Sequence, residues 1–148
     1  MDHRFTLLLI MIMASTAMCT VYYVSPSTDS LCESKPCITL TQFATNSSHY
    51  LDTTNTTLVL EPGNHILNVS LMIHSVSLFA LSSHSSSIVP VVTCSNFAKA
   101  DFIKVDQVAI YGIRFVGCGR NSFISVNNFI LKNSTFMDHP YHYSGRAL

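Results

Sequence analysis

The chain has 148 residues, a formal net charge of zero, and charged side chains at only 11% of positions. That length suits one domain of modest size. The lack of clustered Lys and Arg excludes a nucleic-acid surface, which must neutralise phosphate. With so few charges, solubility falls to Ser, Thr, Asn and attached sugar.

The chain opens MDHRFTLLLIMIMASTAMCT. Arg4 gives a weak basic flank, Leu7 to Ala14 is an uninterrupted apolar run, and Ser15 and Ala17 are small. This is the pattern of a secretory signal peptide over residues 1–19, with cleavage expected between Ala17 and Thr20. The apolar run is shorter than the roughly 20 residues of a membrane-spanning helix. Met18 is too large for the position before a lipidated Cys19. The mature protein is therefore expected outside the cell, with a membrane association only if an anchor lies beyond residue 148.

Residues 20–57 are expected to form an N-terminal lead-in and cap. Removal of Cys19 leaves Cys32, Cys37, Cys94 and Cys118. In an oxidising compartment an even number implies disulfides, and four cysteines allow three pairings. Cys32 and Cys37 are close, with Pro36 bending the chain, which favours a local loop and leaves Cys94 with Cys118. Thr39 to Ala44, TLTQFA, suits a short helix capped by Thr39 or Thr41. Four Asn-x-Ser/Thr triplets, at Asn46, Asn55, Asn68 and Asn133, are candidate glycosylation sites, which must face solvent if occupied.

From residue 58 to 140 the chain is a series of short β-rich runs. Leu58 to Leu60 reads as a strand ended by Pro62-Gly63, and Ser82 to Ser87 as a loop. Asp101–Phe115, DFIKVDQVAIYGIRF, and Ser122–Phe136, SFISVNNFILKNSTF, overlay at an offset of 21. Phe102 falls on Phe123, Ile103 on Ile124, Val105 on Val126, Gly112 on Asn133 and Phe115 on Phe136. Gly and Asn are the residues that most readily take positive φ, so their coincidence implies a shared bend. A looser third copy, Ile73 to Ala80, aligns with Val105 to Gly112 at an offset of 32, the excess falling around Ser82 to Ser87. Leucine-rich spacing and helical periodicity are both missing. The period fits a coil of three short parallel strands and three turns, each coil about 4.8 Å above the last, with like residues stacked in ladders. The fold class expected is all-β, a parallel β-helix of about three to four coils. Cys94 and Cys118, after VVTC and FVGC, lie about one coil apart. Residues 141–148 form a tail.

VYYVSPSTD (Val21–Asp29), KPCITLTQFA (Lys35–Ala44), LVLEPGNHIL (Leu58–Leu67) and the G-I-x-F-x-G-C run (Gly112–Cys118) together resemble right-handed β-helix proteins of the pectin-lyase-like superfamily. The resemblance covers most of the mature chain, and its cysteine-bearing form is similar to extracellular β-helix proteins of animals. It implies a right-handed coil and a capping role for the helix at Thr39–Ala44. No matching cap follows at the far end, so an N-terminal part of a longer β-helix is expected.

The superfamily holds lyases, hydrolases, adhesins and binding proteins, so the fold does not name the activity. Lyases and glycosidases of this fold work with clustered acids. Here Asp106 stacks on Asn127, and Asp101, Asp106 and Asp138 read as solvated loop residues. Asp138-His139 lacks the downstream basic partner of the polygalacturonases. His139 and His142 sit in a tail, and His65, His74 and His84 read as isolated surface histidines. No catalytic, metal or cofactor residue is therefore assigned. The reading reached is a secreted, glycosylated, non-catalytic β-helix that binds or organises extracellular glycans or proteins. The alternatives are a carbohydrate-active enzyme with its catalytic coils beyond this chain, or the ectodomain of a surface receptor or adhesin.

Overall fold

A computed structural model of the chain describes residues 19–28, 31–32, 35–51, 54–85, 87–96, 98–119 and 122–137. Residues 1–18, most of the stretch expected to be a signal peptide, and residues 138–148, which include the expected tail, lie outside the described residues. The described chain is mostly β, and its main sheets are parallel.

After β1 (Cys19–Val24) come the short strands β2 (Leu31–Cys32) and β3 (Lys35–Pro36), then helices α1 (Leu40–Thr45) and α2 (Ser47–Tyr50). Strands β4 (Asn55–Leu60), β5 (Asn64–Leu67) and β6 (Leu71–His74) follow, then β7 (Leu78–Ser83), β8 (Val91–Cys94) and β9 (Ala100–Ile103). The next three are β10 (Gln107–Tyr111), β11 (Arg114–Val116) and β12 (Ser122–Ile124), before β13 (Asn128–Lys132) and β14 (Thr135–Met137). From β4 on the chain visits three sheets in rotation, and from β7 on each strand pairs with the third one before it, as β4 does with β1. The sheets run β1-β4-β7-β10-β13, β5-β8-β11-β14 and β6-β9-β12. β2 and β3 form a separate antiparallel pair. This arrangement is compatible with a β-helix.

The doubled stretch has the register expected of it. Phe102 pairs with Phe123 and Ile103 with Ile124, Val108 with Phe129, and Phe115 with Phe136, all 21 residues apart. The third copy is displaced by three residues from the sequence alignment. Ile73 pairs with Phe102 and Phe79 with Val108, an offset of 29 and not 32. The residues of one copy are all apolar or small over Val76 to Ala80, so a slip of three still matches apolar to apolar. The extra length lies mainly between β7 and β8. Val91 starts 13 residues after Leu78, whereas Arg114 starts seven after Gln107. Ser82 and Ser83 end β7, and the loop proper begins at His84.

Corners between strands use the left-handed region. Gly112 (φ 66°) and Asn133 (φ 54°) occupy one corner, in agreement with the sequence overlay. Ser75, Lys104 and Ser125 (each φ 54°) occupy another, directly after β6, β9 and β12. Non-glycine residues there cost about 1–2 kcal/mol each. Parallel pairing on both flanking strands holds them in place.

Alternate residues face inward and form ladders. One runs Thr56, Phe79, Val108 and Phe129, and a second Leu58, Leu81, Ile110 and Leu131. In the second sheet the row is His65, Val92, Phe115 and Phe136. The Phe79 and Phe102 rings meet at 5.8 Å inside. At the first end, α1 lies against β5 and β6, the edge strands of their sheets. Thr39 caps it. Its hydroxyl accepts from Gln42 N at 3.1 Å and the Gln42 side chain accepts from Thr39 N at 2.8 Å, a reciprocal capping box. Leu40, Phe43 and Ala44 are buried, Phe43 among Tyr22, Tyr50 and Phe79. Thr41 is not the cap. Its hydroxyl donates to Ile66 O at 2.8 Å and accepts from Asn68 N, tying the helix to the strands below. The sequence of α2, SSHY, has no apolar periodicity to mark it as a helix.

At the other end the ladder positions open up. Val108 and Ile110 are 0% and 3% exposed, whereas Phe129 and Leu131, one rung on, are 45% and 43% exposed. Among the described residues no helix is long and apolar enough to cross a membrane.

Candidate functional site

The strongest covalent feature joins adjacent rungs. Cys94 at the end of β8 is disulfide-bonded to Cys118, 24 residues on, with Cα atoms 4.7 Å apart. The strands themselves pair at 23, since Val91 lies beside Arg114 and Thr93 beside Val116. VVTC and FVGC are therefore one residue out of step, and Gly117 (φ 66°) is the bulge that carries Cys118 to Cys94. Cys37 is also disulfide-bonded. The Cys32 side chain lies outside the described ones, but the β2–β3 pair sets Cys32 opposite Lys35, two residues before Cys37.

The candidate glycosylation sites fall at different depths. Asn46 closes α1 and is exposed, and Asn68 is exposed at the corner between β5 and β6. Asn133 is exposed at its positive-φ corner. Its side chain therefore does not turn into the interior at the register it shares with Gly112. The corner is instead pinned by Ser134, whose Oγ accepts from Ile113 N and donates to Lys132 O, both at 3.1 Å. Asn55 is half-buried at the start of β4, between β1 and β7.

Two residues read as surface groups are buried. Asp101 lies inside β9, with Lys99 Nζ 3.0 Å from its Oδ2 and its Oδ1 buried without a hydrogen-bond partner. Its neighbours on either side across the sheet are Met72 and Ser122, so no second acid stacks on it. Asp106 is exposed, as expected, and accepts from Asn127 Nδ2 at 3.1 Å. Asp138, His139 and His142 lie outside the described residues.

His65 is the second correction. It is 1% exposed and heads the inward row of the second sheet. The strand NHIL places two apolar residues side by side, so alternation alone does not fix which face Ile66 or Leu67 takes. The structure turns Leu67 and His65 in and leaves Ile66 out. His65 Nε2 donates to Glu61 O at 2.7 Å, and Nδ1 is buried without a partner. Burial holds the His65 pKa below the ordinary imidazole value, against the smaller opposing effects of that hydrogen bond and of the Glu61 charge. Glu61 is 3.7 Å from His84 Nδ1, and the His84 ring packs on Tyr23. His74 and His84 are exposed, as the sequence implies.

A concave site lies between α2 and β6, with a volume of about 270 Å³. Leu51, Met72 and Val76 give it an apolar floor, and Ser47, Ser48 and His74 give it hydroxyls and an imidazole. The arrangement offers contacts for an apolar group with hydrogen bonds around it. Among the described residues no three His, Cys, Asp or Glu side chains gather to hold a metal ion.

Comparison of the chain with protein-family models, curated proteins and solved structures finds no match.

Proposed function

We propose that the chain is a secreted, glycosylated right-handed parallel β-helix of the pectin-lyase-like kind, with a non-catalytic binding or structural role outside the cell. The observation that carries this reading is the Cys94–Cys118 disulfide between successive rungs. Disulfides persist in oxidising compartments, and the leader sequence directs a chain to one. The rotation of the chain through three parallel sheets supports the coil. The exposure of Asn46, Asn68 and Asn133 is what glycans require.

The outward residues favour binding over catalysis. Between the two closely matched rungs the buried Phe102, Val105 and Phe115 recur as Phe123, Val126 and Phe136, while Lys104, Asp106, Tyr111 and Arg114 become Ser125, Asn127, Lys132 and Thr135. A scaffold needs the former, and a repeated chemical site would need the latter. The concave site with Ser47, Ser48 and His74 is the face assigned to a ligand.

The test is expression of the chain in a secretory eukaryotic cell. The medium should contain a glycosidase-sensitive protein that shows no free thiol until it is reduced and that binds members of an extracellular glycan or protein array. It should release no unsaturated or reducing sugar from pectic substrates. Retention inside the cell with free thiols would defeat the extracellular reading, and substrate cleavage would defeat the non-catalytic one.

A further inference from the structure

We propose that His65 is an acid-responsive lock on the first full rung, so that charging its ring releases β5 and the α1 cap from the stack. The geometry leaves the ring one stable state. Nε2 is committed as a donor to a carbonyl oxygen, which can only accept. The proton of an imidazolium would therefore go to Nδ1, which is buried and faces no acceptor. Charge and an unpaired donor would arrive together in the apolar interior, next to Val92.

The location makes the effect local. His65 sits on β5, the edge strand of its sheet, and α1 rests on that strand through the Thr41 hydroxyl and Ile66 O. Losing β5 therefore loosens the cap, while the rungs joined by Cys94 and Cys118 stay linked. The groups that face His65 are few. Glu61 precedes β5 and supplies both the carbonyl and a carboxylate, and His84 reaches that carboxylate from the β7–β8 loop. A charged His84 is attracted to Glu61 and so opposes opening. α1 carries no titratable side chain, and on β8 the only one is Cys94, which is disulfide-bonded.

The direction follows from the lowered affinity of the folded state for this proton. The closed form is fully favoured above pH 6.5, the ordinary imidazole value. It loses ground as pH falls below that, about tenfold in opening equilibrium per pH unit, until the folded-state pKa is reached. Such a lock would let an acidified compartment expose a strand edge that is covered at neutral pH.

Hydrogen–deuterium exchange on the secreted, disulfide-intact protein, corrected for intrinsic rates, reads this directly. Between pH 7.5 and 5.5, amides of α1 and β5 should lose protection while those of β10 and β11 keep it. His65→Gln keeps a donor toward Glu61 O and cannot charge, and His65→Val matches the neighbouring Val92. Either folded variant should lose the acid response, and His84→Gln should retain it. A response unchanged in the His65 variants, abolished in His84→Gln, or uniform over all strands would overturn the proposal. Should both His65 variants fail to fold, NMR titration of the wild-type ring decides. A His65 pKa below 6.5 supports the lock, and a value at or above 6.5 removes it.

Discussion

Phe115 and Phe136 lie 21 residues apart in sequence and stack face to face, with ring centroids 4.6 Å apart and planes within 8° of parallel. Phe115 is buried between Val92 and Phe136, whereas Phe136 is half-buried on the last rung of its sheet. Truncating a buried Phe removes both its transfer free energy and the packing around it. Phe115→Ala is expected to cost about 3–5 kcal/mol. Phe136→Ala should cost clearly less, because less of its ring leaves water on folding. Urea denaturation of the two variants tests the order, and equal losses would contradict the rung arrangement.

The Cys94–Cys118 bridge closes a loop whose ends are 24 residues apart. A loop of that size contributes about 3 kcal/mol, chiefly by restricting the unfolded chain. Replacing both cysteines with Ser should lower stability by about that amount and leave the fold intact, as read by circular dichroism and thermal melting. A single Cys94→Ser change should in addition expose one reactive thiol to alkylation.

Gly63 adopts φ 136°, and a Cβ added there would lie 2.7 Å from Pro26 Cγ. Gly117 at φ 66° has more room, with Cys94 O at 3.4 Å. Gly63→Ala should therefore destabilise more than Gly117→Ala, the first combining a steric overlap with a backbone penalty of about 1–2 kcal/mol and the second carrying the penalty alone. Parallel denaturation curves would show the difference as a lower midpoint with an unchanged slope.

Glycan occupancy should follow exposure. Enzymatic removal of N-glycans in heavy-oxygen water, followed by peptide mass spectrometry, should mark Asn46, Asn68 and Asn133 strongly. Asn55, half-buried within β4, should be marked least. A dominant signal at Asn55 would mean that β4 is not held between β1 and β7 when the sugar is added.

Cap anchoring can be separated from cap formation. Thr39→Ala removes the acceptor for Gln42 N, a loss of about 1 kcal/mol. Thr41→Val leaves the helix start intact and removes the link to Ile66 O and Asn68 N, again about 1 kcal/mol. Each should speed proteolysis near residues 40–51 at neutral pH, and the double variant should approach the sum only if the two roles are independent.

The amino-acid order alone determined the β-rich character, the 21-residue step, the Gly112–Asn133 corner, the short helix at Thr39–Ala44 and the pairing of Cys94 with Cys118. These are repeated or local signals. Alternation, turn-formers and caps act over a few residues, and a second copy of the same pattern reveals register without any knowledge of the fold. Tertiary structure decided what repetition could not. The third copy, Ile73 to Ala80, is offset by 29 and not 32, because apolar runs match at several slips and only pairing on both sides chooses one. Lys104, Ser75 and Ser125 sit at positive φ because the neighbouring rungs fix the corner, against their own preference. His65 is buried because the phase of a four-residue strand is set by the ladder it joins, and NHIL read in isolation leaves that phase open. Asp101 is buried on the face opposite Phe102, where Lys99 lies 3.0 Å from its carboxylate, a contact that only the fold supplies.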